Sequence, residues 1–215
     1  MLEPLVQRLS PQEYLDLEAR SDLKHEYIDG EVYAMAGSSD DHAAIVGNAL
    51  IAIGPHLRRS GYRLYPQDVK AQITRRSRYY YPDLMVTCDD RDQNDRYVKR
   101  HYKMIIEVLS DSTERFDRGL KFEDYRRSAS LEEYVLISQN RMNVEVYRRN
   151  AAGRWELQAY HEGDRVELVS VGLEFAIADL YEDVILPPEE LDIEDQSELT
   201  SEEATSGHSG SQSGT

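Results

Sequence analysis

The run Met104-Ile105-Ile106-Glu107-Val108-Leu109 constrains this chain more than any other stretch. It is nearly continuously apolar, as a strand covered on both faces must be. Such a strand needs a layer above it and a layer below it. That requirement favours an α/β sandwich built around a central mixed sheet. The 215 residues suffice for one domain, and a chain of that size buries enough surface to fold without disulfides or a structural metal. One cysteine, Cys88, excludes an intramolecular disulfide framework and fits a reducing compartment. No apolar run reaches the roughly 18 residues that span a membrane. The start, MLEPLVQRLSPQEYLDL, lacks the basic region and apolar core of a signal peptide. The expectation is a soluble cytoplasmic protein with no membrane partner.

Local signals place the other elements. Ser10-Pro11-Gln12-Glu13 reads as a capped helix start, with Pro at the first helical position and Glu three residues after the cap. Residues 26–36 read as two short strands around an Asp29-Gly30 turn. Residues 41–59 carry apolar residues at helical spacing, with Pro55 expected to kink or break the end. Strands are expected over 62–73, 79–88 and 102–109, a helix over 112–128, and strands over 132–137 and 143–149. Short strands over 154–160 and 166–169 and a last helix over 178–184 complete the pattern. Residues 1–186 thus form the expected domain. Residues 187–215 are rich in acids, Ser and Gly and too poor in apolar residues to offset their ordering entropy, so they read as a disordered tail.

The charge balance is acidic, with 25 bases against 41 acids and a formal net charge of −16. At face value this argues against a nucleic-acid partner. Eight of those acids lie in the tail, and without it the balance is 33 acids to 25 bases. Two stretches are locally basic: residues 58–79, with Arg58, Arg59, Arg63, Lys70, Arg75, Arg76 and Arg78, and residues 96–103, with Arg96, Lys99, Arg100 and Lys103. They read either as solvated faces or as contacts to a polyanion.

Two acids stand where a core strand should be apolar. Asp83 interrupts Tyr79-Tyr80-Tyr81-Pro82-Asp83-Leu84-Met85-Val86, and Glu107 interrupts the run described above. A buried carboxylate must be paired, protonated or bound to a cation. Either acid alone reads as a turn cap or an arginine partner. Two of them on neighbouring strands would repel, and a divalent cation such as Mg²⁺ resolves the conflict with hard oxygen ligands. In the following helix Asp117, Lys121 and Tyr125 fall at i, i+4 and i+8, on one face. Asp117 is expected to position Lys121 above the two acids. Glu31, after the tight turn, and His42, near a helix start, are secondary candidates. The other histidines show no zinc-ligand spacing. Ser110, Ser112 and Cys88 have no base partner for covalent catalysis, and there is no glycine-rich phosphate loop.

From Asp29 to about Arg148 the sequence resembles the Uma2 restriction-endonuclease family of the PD-(D/E)XK nuclease superfamily. The residues that carry the resemblance are Glu26-Tyr27-Ile28-Asp29-Gly30-Glu31, His42, Pro82-Asp83, Glu107-Val108-Leu109-Ser110, Asp117, Lys121, Tyr125 and Glu133-Tyr134. It implies a restriction-endonuclease-like α/β core, a central mixed sheet flanked by helices. It also implies that Asp83 and Glu107 are the ligands of Mg²⁺ or Mn²⁺. The superfamily places a lysine two residues after the glutamate, and here that position is Leu109. In the Uma2-like pattern a helix lysine, here Lys121, takes that place.

The expectation is therefore a Mg²⁺-dependent endonuclease acting on DNA phosphodiester bonds. Asp83 and Glu107 hold the metal, Lys121 steadies the transition state, and Asp117 supports Lys121. Cutting both strands would call for a homodimer. The alternative is a non-catalytic interaction module on a nuclease-like fold. A third class, a hydrolase of small phosphorylated substrates, would need a closed pocket.

Overall fold

The computed structural model describes residues 8–35, 37–73 and 77–188. The tail from residue 189, together with Arg75 and Arg76, lies outside the described residues. Helix α1 (Pro11–Glu18) starts with the expected capping box between Ser10 and Glu13. Strands β1 (His25–Ile28) and β2 (Glu31–Ala34) form a hairpin whose turn places Asp29 and Gly30 at positive φ, as a two-residue type I′ turn requires. Helix α2 (Asp40–Leu57) runs through Pro55 to Leu57 and then stops, so the proline sits close to the end it was expected to mark.

The expected strand over 62–73 is two strands, β3 (Arg63–Pro66) and β4 (Lys70–Ile73), which join different sheets. The expected strand over 79–88 likewise divides into β5 (Arg78–Tyr80) and β6 (Leu84–Thr87). Tyr81, Pro82 and Asp83 carry the chain from one sheet to the other. The two-residue β7 (Val98–Lys99) had no signal in the sequence. Strand β8 (Tyr102–Leu109) follows. Next come α3 (Glu114–Phe116), a five-residue π turn (Asp117–Lys121) and α4 (Phe122–Tyr125), in place of one regular helix. Strands β9 (Glu133–Ser138), β10 (Asn143–Arg149), β11 (Trp155–His161), β12 (Arg165–Leu168) and β13 (Leu173–Ala176) complete the fold. The expected last helix is a short 3-10 turn, Ile177–Leu180.

Six strands form the central mixed sheet, in the order β11-β10-β9-β8-β6-β3. β8 and β9 are parallel, and the other neighbours in this sheet are antiparallel. A second sheet runs β2-β1-β5-β4-β7. Side chains alternate across β8. Met104, Ile106 and Val108 face a core shared with Ile45, Ala49 and Ile53 of α2. Ile105 and Leu109 face a second core with Tyr80, Tyr102, Tyr125 and Tyr134. The strand is therefore covered on both faces, as its composition requires. By this alternation Glu107 belongs to the row of Ile105 and Leu109, the one acid in that face of the strand. Among the described residues no helix is long and apolar enough to cross a membrane.

Candidate active site

The site lies where the two sheets meet. Asp83 immediately precedes β6, and Leu84 pairs with Ile106 of β8, so Asp83 sits beside Glu107. The Asp83 backbone N–H donates to Glu107 Oε2 at 3.3 Å, and the Val108 N–H donates to Asp83 Oδ2 at 2.8 Å. The other oxygen, Asp83 Oδ1, lies 3.0 Å from His42 Nε2 in the first turn of α2 and accepts from Gln67 Nε2 at 3.1 Å. Burial pushes the Asp83 carboxyl up, but His42, the Val108 amide and Gln67 outweigh it and leave it below the usual range. An ionised carboxylate only accepts, so His42 Nε2 carries the hydrogen.

Glu107 sits deeper, only 3 % exposed. Its Oε1 accepts from Lys121 Nζ at 3.3 Å and from the Tyr125 hydroxyl at 3.4 Å. Lys121 Nζ also lies 3.1 Å from Glu26 Oε1 and 3.1 Å from Asp117 Oδ1. One ammonium is thus ringed by three carboxylates, all of them buried. The Asp117 contact is at ion-pair distance but is not aligned as a hydrogen bond, since Oδ1 has no hydrogen-bond partner. Burial raises the Glu107 carboxyl well above its ordinary value; Lys121 pulls the other way, while Asp117, Asp83 and Glu26 add to the rise. Glu26 is raised by burial too. Burial also lowers the Lys121 ammonium, but the three carboxylates dominate and hold it well above its ordinary value.

Asp117 and Lys121 stand at the two ends of the π turn, four residues apart, and this spacing already puts both side chains on one face of a helical turn. Tyr134 OH donates to the Asp117 backbone carbonyl and anchors this turn to β9.

These donors fit a hard divalent cation. The site holds four carboxylates (Asp83, Glu107, Glu26 and Asp117) and one lysine, which leaves more acid than base in a buried place. Glu107 Oε1 and Asp83 Oδ1 each carry two hydrogen bonds, so the oxygens with capacity left are Glu107 Oε2 and Asp83 Oδ2. Among the described residues no three His, Cys, Asp or Glu side chains are arranged to hold a metal alone. A pair of carboxylates is the donor set of a cation that keeps its waters, as Mg²⁺ commonly does. Lys121 fills the centre that Glu26, Glu107 and Asp117 would otherwise offer.

Comparison with known proteins agrees with this core. The family model Uma2, described as "Putative restriction endonuclease", matches residues 11–179. The chain belongs to the Uma2 family. Two proteins from Synechocystis sp. (strain ATCC 27184 / PCC 6803 / Kazusa) are similar to it. One, slr1290, is 39% identical over 174 residues, covering 81% of this chain and 92% of that protein. The other, sll1609, is 32% identical over 151 residues, covering 69% and 85%. A crystal structure from Anabaena variabilis ATCC 29413, described as a "putative nuclease belonging to DUF820", superposes with a TM-score of 0.69 at 18% identity. It covers 82% of this chain and 99% of that one, and shares the restriction-endonuclease-like fold.

Of the residues expected at the site of this Uma2 protein, Asp83, Glu107, Lys121, Asp117 and His42 come together. Glu31 does not. It lies on β2, the edge of the second sheet, and pairs with Arg8 and Tyr33. The helix that follows β8 has Thr113 at its cap position, and Asp111 accepts from Asn140. Two residues enter that had no assigned role. Glu26 holds Lys121, and Gln67, in the β3–β4 turn, holds Asp83. Glu26 had one signal, an acid beside Tyr27 in a short strand; Gln67 had none.

Five residues of the basic stretches are held within the fold. Lys70 donates to Tyr81 OH and Arg78 pairs with Asp124 and Asp29. Lys99 donates to backbone carbonyls of Asp92 and Asp95. Arg100 pairs with Asp95, and Lys103 with Glu132. Arg58, Arg59, Arg63 and Arg96 are exposed; Arg58 and Arg59 follow the end of α2, and Arg63 lies on β3 opposite the end of β6, away from His42 and Asp83.

Proposed function

We propose that this chain is a Mg²⁺-dependent (or Mn²⁺-dependent) endonuclease that hydrolyses DNA phosphodiester bonds. The observation that supports the reading is the convergence of Asp83, Glu107 and Lys121 at hydrogen-bond distances, with more carboxylate than ammonium. Asp83 Oδ2 and Glu107 Oε2 would hold the cation. When bound, the cation would lower the pKa of a water for attack and offset charge on the scissile phosphate. Lys121 supplies counter-charge to Glu107, Glu26 and Asp117, which offsets part of the effect of burial on Glu107 and Glu26. It could orient a water only if one of its three carboxylates gave way. Asp117 and Glu26 fix its ammonium. One site per chain acting on both strands would require two copies, so a homodimer is part of the proposal.

A second reading is a non-catalytic interaction module. The pairing of Lys70, Arg78, Lys99, Arg100 and Lys103 within the fold favours it, because a phosphate-binding groove needs free cations. A closed small-substrate pocket has less support. Two open surface depressions, one lined by Asp111, Glu114, Arg115, Arg118 and Gly119 and the other by residues within 91–100, do not include the carboxylates. Calorimetric titration with Mg²⁺ and Mn²⁺ tests the reading. Binding by the wild type and its loss in Asp83→Asn, followed by plasmid cleavage, is the expected result. A wild type that takes up neither metal, with or without DNA, leaves the interaction module.

A further inference from the structure

The turn between β3 and β4 grips Asp83 twice. The Gln67 backbone N–H donates to the Asp83 carbonyl oxygen at 3.0 Å, and its side-chain amide donates to Asp83 Oδ1 at 3.1 Å. Gln67 has φ +31°, a conformation that a non-glycine residue adopts at a cost. The turn closes with the Asp68 N–H donating to the Pro66 carbonyl, and Lys24 pairs with Asp68 at 2.5 Å. A strained residue held by several contacts, with its amide aimed at a buried carboxylate, points to a positioning role.

Counting acceptor sites shows what is positioned. His42 and Gln67 both hydrogen-bond to Asp83 Oδ1 and so use its acceptor capacity. Oδ2 carries only the Val108 N–H bond. A carboxylate bound this way can offer a cation one oxygen, not two. Mg²⁺ accepts that arrangement, because it binds six ligands in a near-ideal octahedron and takes carboxylates singly. Ca²⁺ takes six to eight oxygens and profits from bidentate carboxylates.

We propose that Gln67 is a specificity-determining positioning residue that limits Asp83 to a single coordinating oxygen and so favours Mg²⁺ over Ca²⁺. This rests on the metal-site reading above. The role belongs to the side-chain amide, so Gln67→Met, which keeps the length and loses the donor, frees acceptor capacity on Oδ1. Gln67→Gly also removes the donor, and it relieves the positive φ.

The test is calorimetry of Mg²⁺ and Ca²⁺ on the full chain and both variants, with melting temperatures measured alongside. Residues that hydrogen-bond a metal's ligands typically change metal affinity by about 10- to 100-fold. The ratio of Ca²⁺ to Mg²⁺ affinity should rise about tenfold in both variants, with Gln67→Gly melting no lower than wild type. Equal weakening of both metals, or an unchanged ratio, would overturn the proposal while leaving the metal site standing. A wild type that binds neither ion, with or without a DNA duplex, removes the metal-site reading and this proposal with it.

Discussion

Glu107 and Lys121 carry opposite consequences for stability although they touch. Carboxylates outnumber the ammonium, so neutralising one carboxylate relieves the cluster while removing the ammonium strands three. We expect Glu107→Gln to raise the free energy of unfolding by on the order of 1 kcal/mol at neutral pH while abolishing metal binding, a common trade at functional sites. Lys121→Met should cost about 3–5 kcal/mol. The pH dependence has a definite sign. The Glu107 carboxyl is raised in the folded state, so its stabilising proton is fully present below the unfolded value of about 4.3 and is lost as pH rises through the folded value. The melting-temperature advantage of Glu107→Gln should therefore widen towards neutral pH and close near pH 4. A gap that is constant with pH, or a Glu107→Gln that melts lower throughout, would show that Glu107 is a satisfied ion-pair partner. The sequence marked Asp83 and Glu107 because acids in apolar strands are conspicuous. Gln67 is an ordinary turn residue whose role comes only from the turn lying over Asp83. Glu31 looked equivalent to Glu26 in a strand pattern, but strand order put one at a sheet edge and the other in the interior.

At the level of elements, patterning located the central strands because their apolar runs are long. It merged β3 with β4 and β5 with β6 because a change of sheet leaves no change in periodicity. The π turn was hidden for a similar reason: Asp117 and Lys121 at i, i+4 are compatible with an α-helix. Glu133 shows a structural use of a buried acid among the residues that carried the family resemblance. It is fully buried on β9, accepting from Arg148 Nε at 2.8 Å, from the backbone N–H groups of Val169 and Ser170 at 3.0 Å, and from Ser170 Oγ at 2.5 Å. It therefore ties the central sheet to the segment between β12 and β13. Glu133→Gln loses the charge on four donors and turns an amide N–H₂ towards some of them. We expect a loss of about 2–4 kcal/mol in urea denaturation, with metal affinity unchanged. A loss of metal binding in a variant that remains folded would instead place Glu133 in the site's machinery.

Over the whole molecule, the position of charge matters more than its total. The net charge of −16 accompanies basic stretches of which, among the described residues, Lys70, Arg78, Lys99, Arg100 and Lys103 are paired within the fold. Helix α2 has 18 residues and is therefore about 27 Å long, with His42 in its first turn and Arg58 just past its end. Arg63 pairs with Thr87, the last residue of β6, while Asp83 precedes the first. A duplex laid across Asp83 and Glu107 need not reach either arginine. Each phosphate contact that is lost lowers the slope of log affinity against log salt by about 0.9. We expect the double variant Arg58→Glu, Arg63→Glu to keep both the cleavage rate and the salt slope of the wild type. A slope shallower by about two units would show that the duplex runs along the full length of α2, and that the basic residues recognised in the sequence serve the site from a distance.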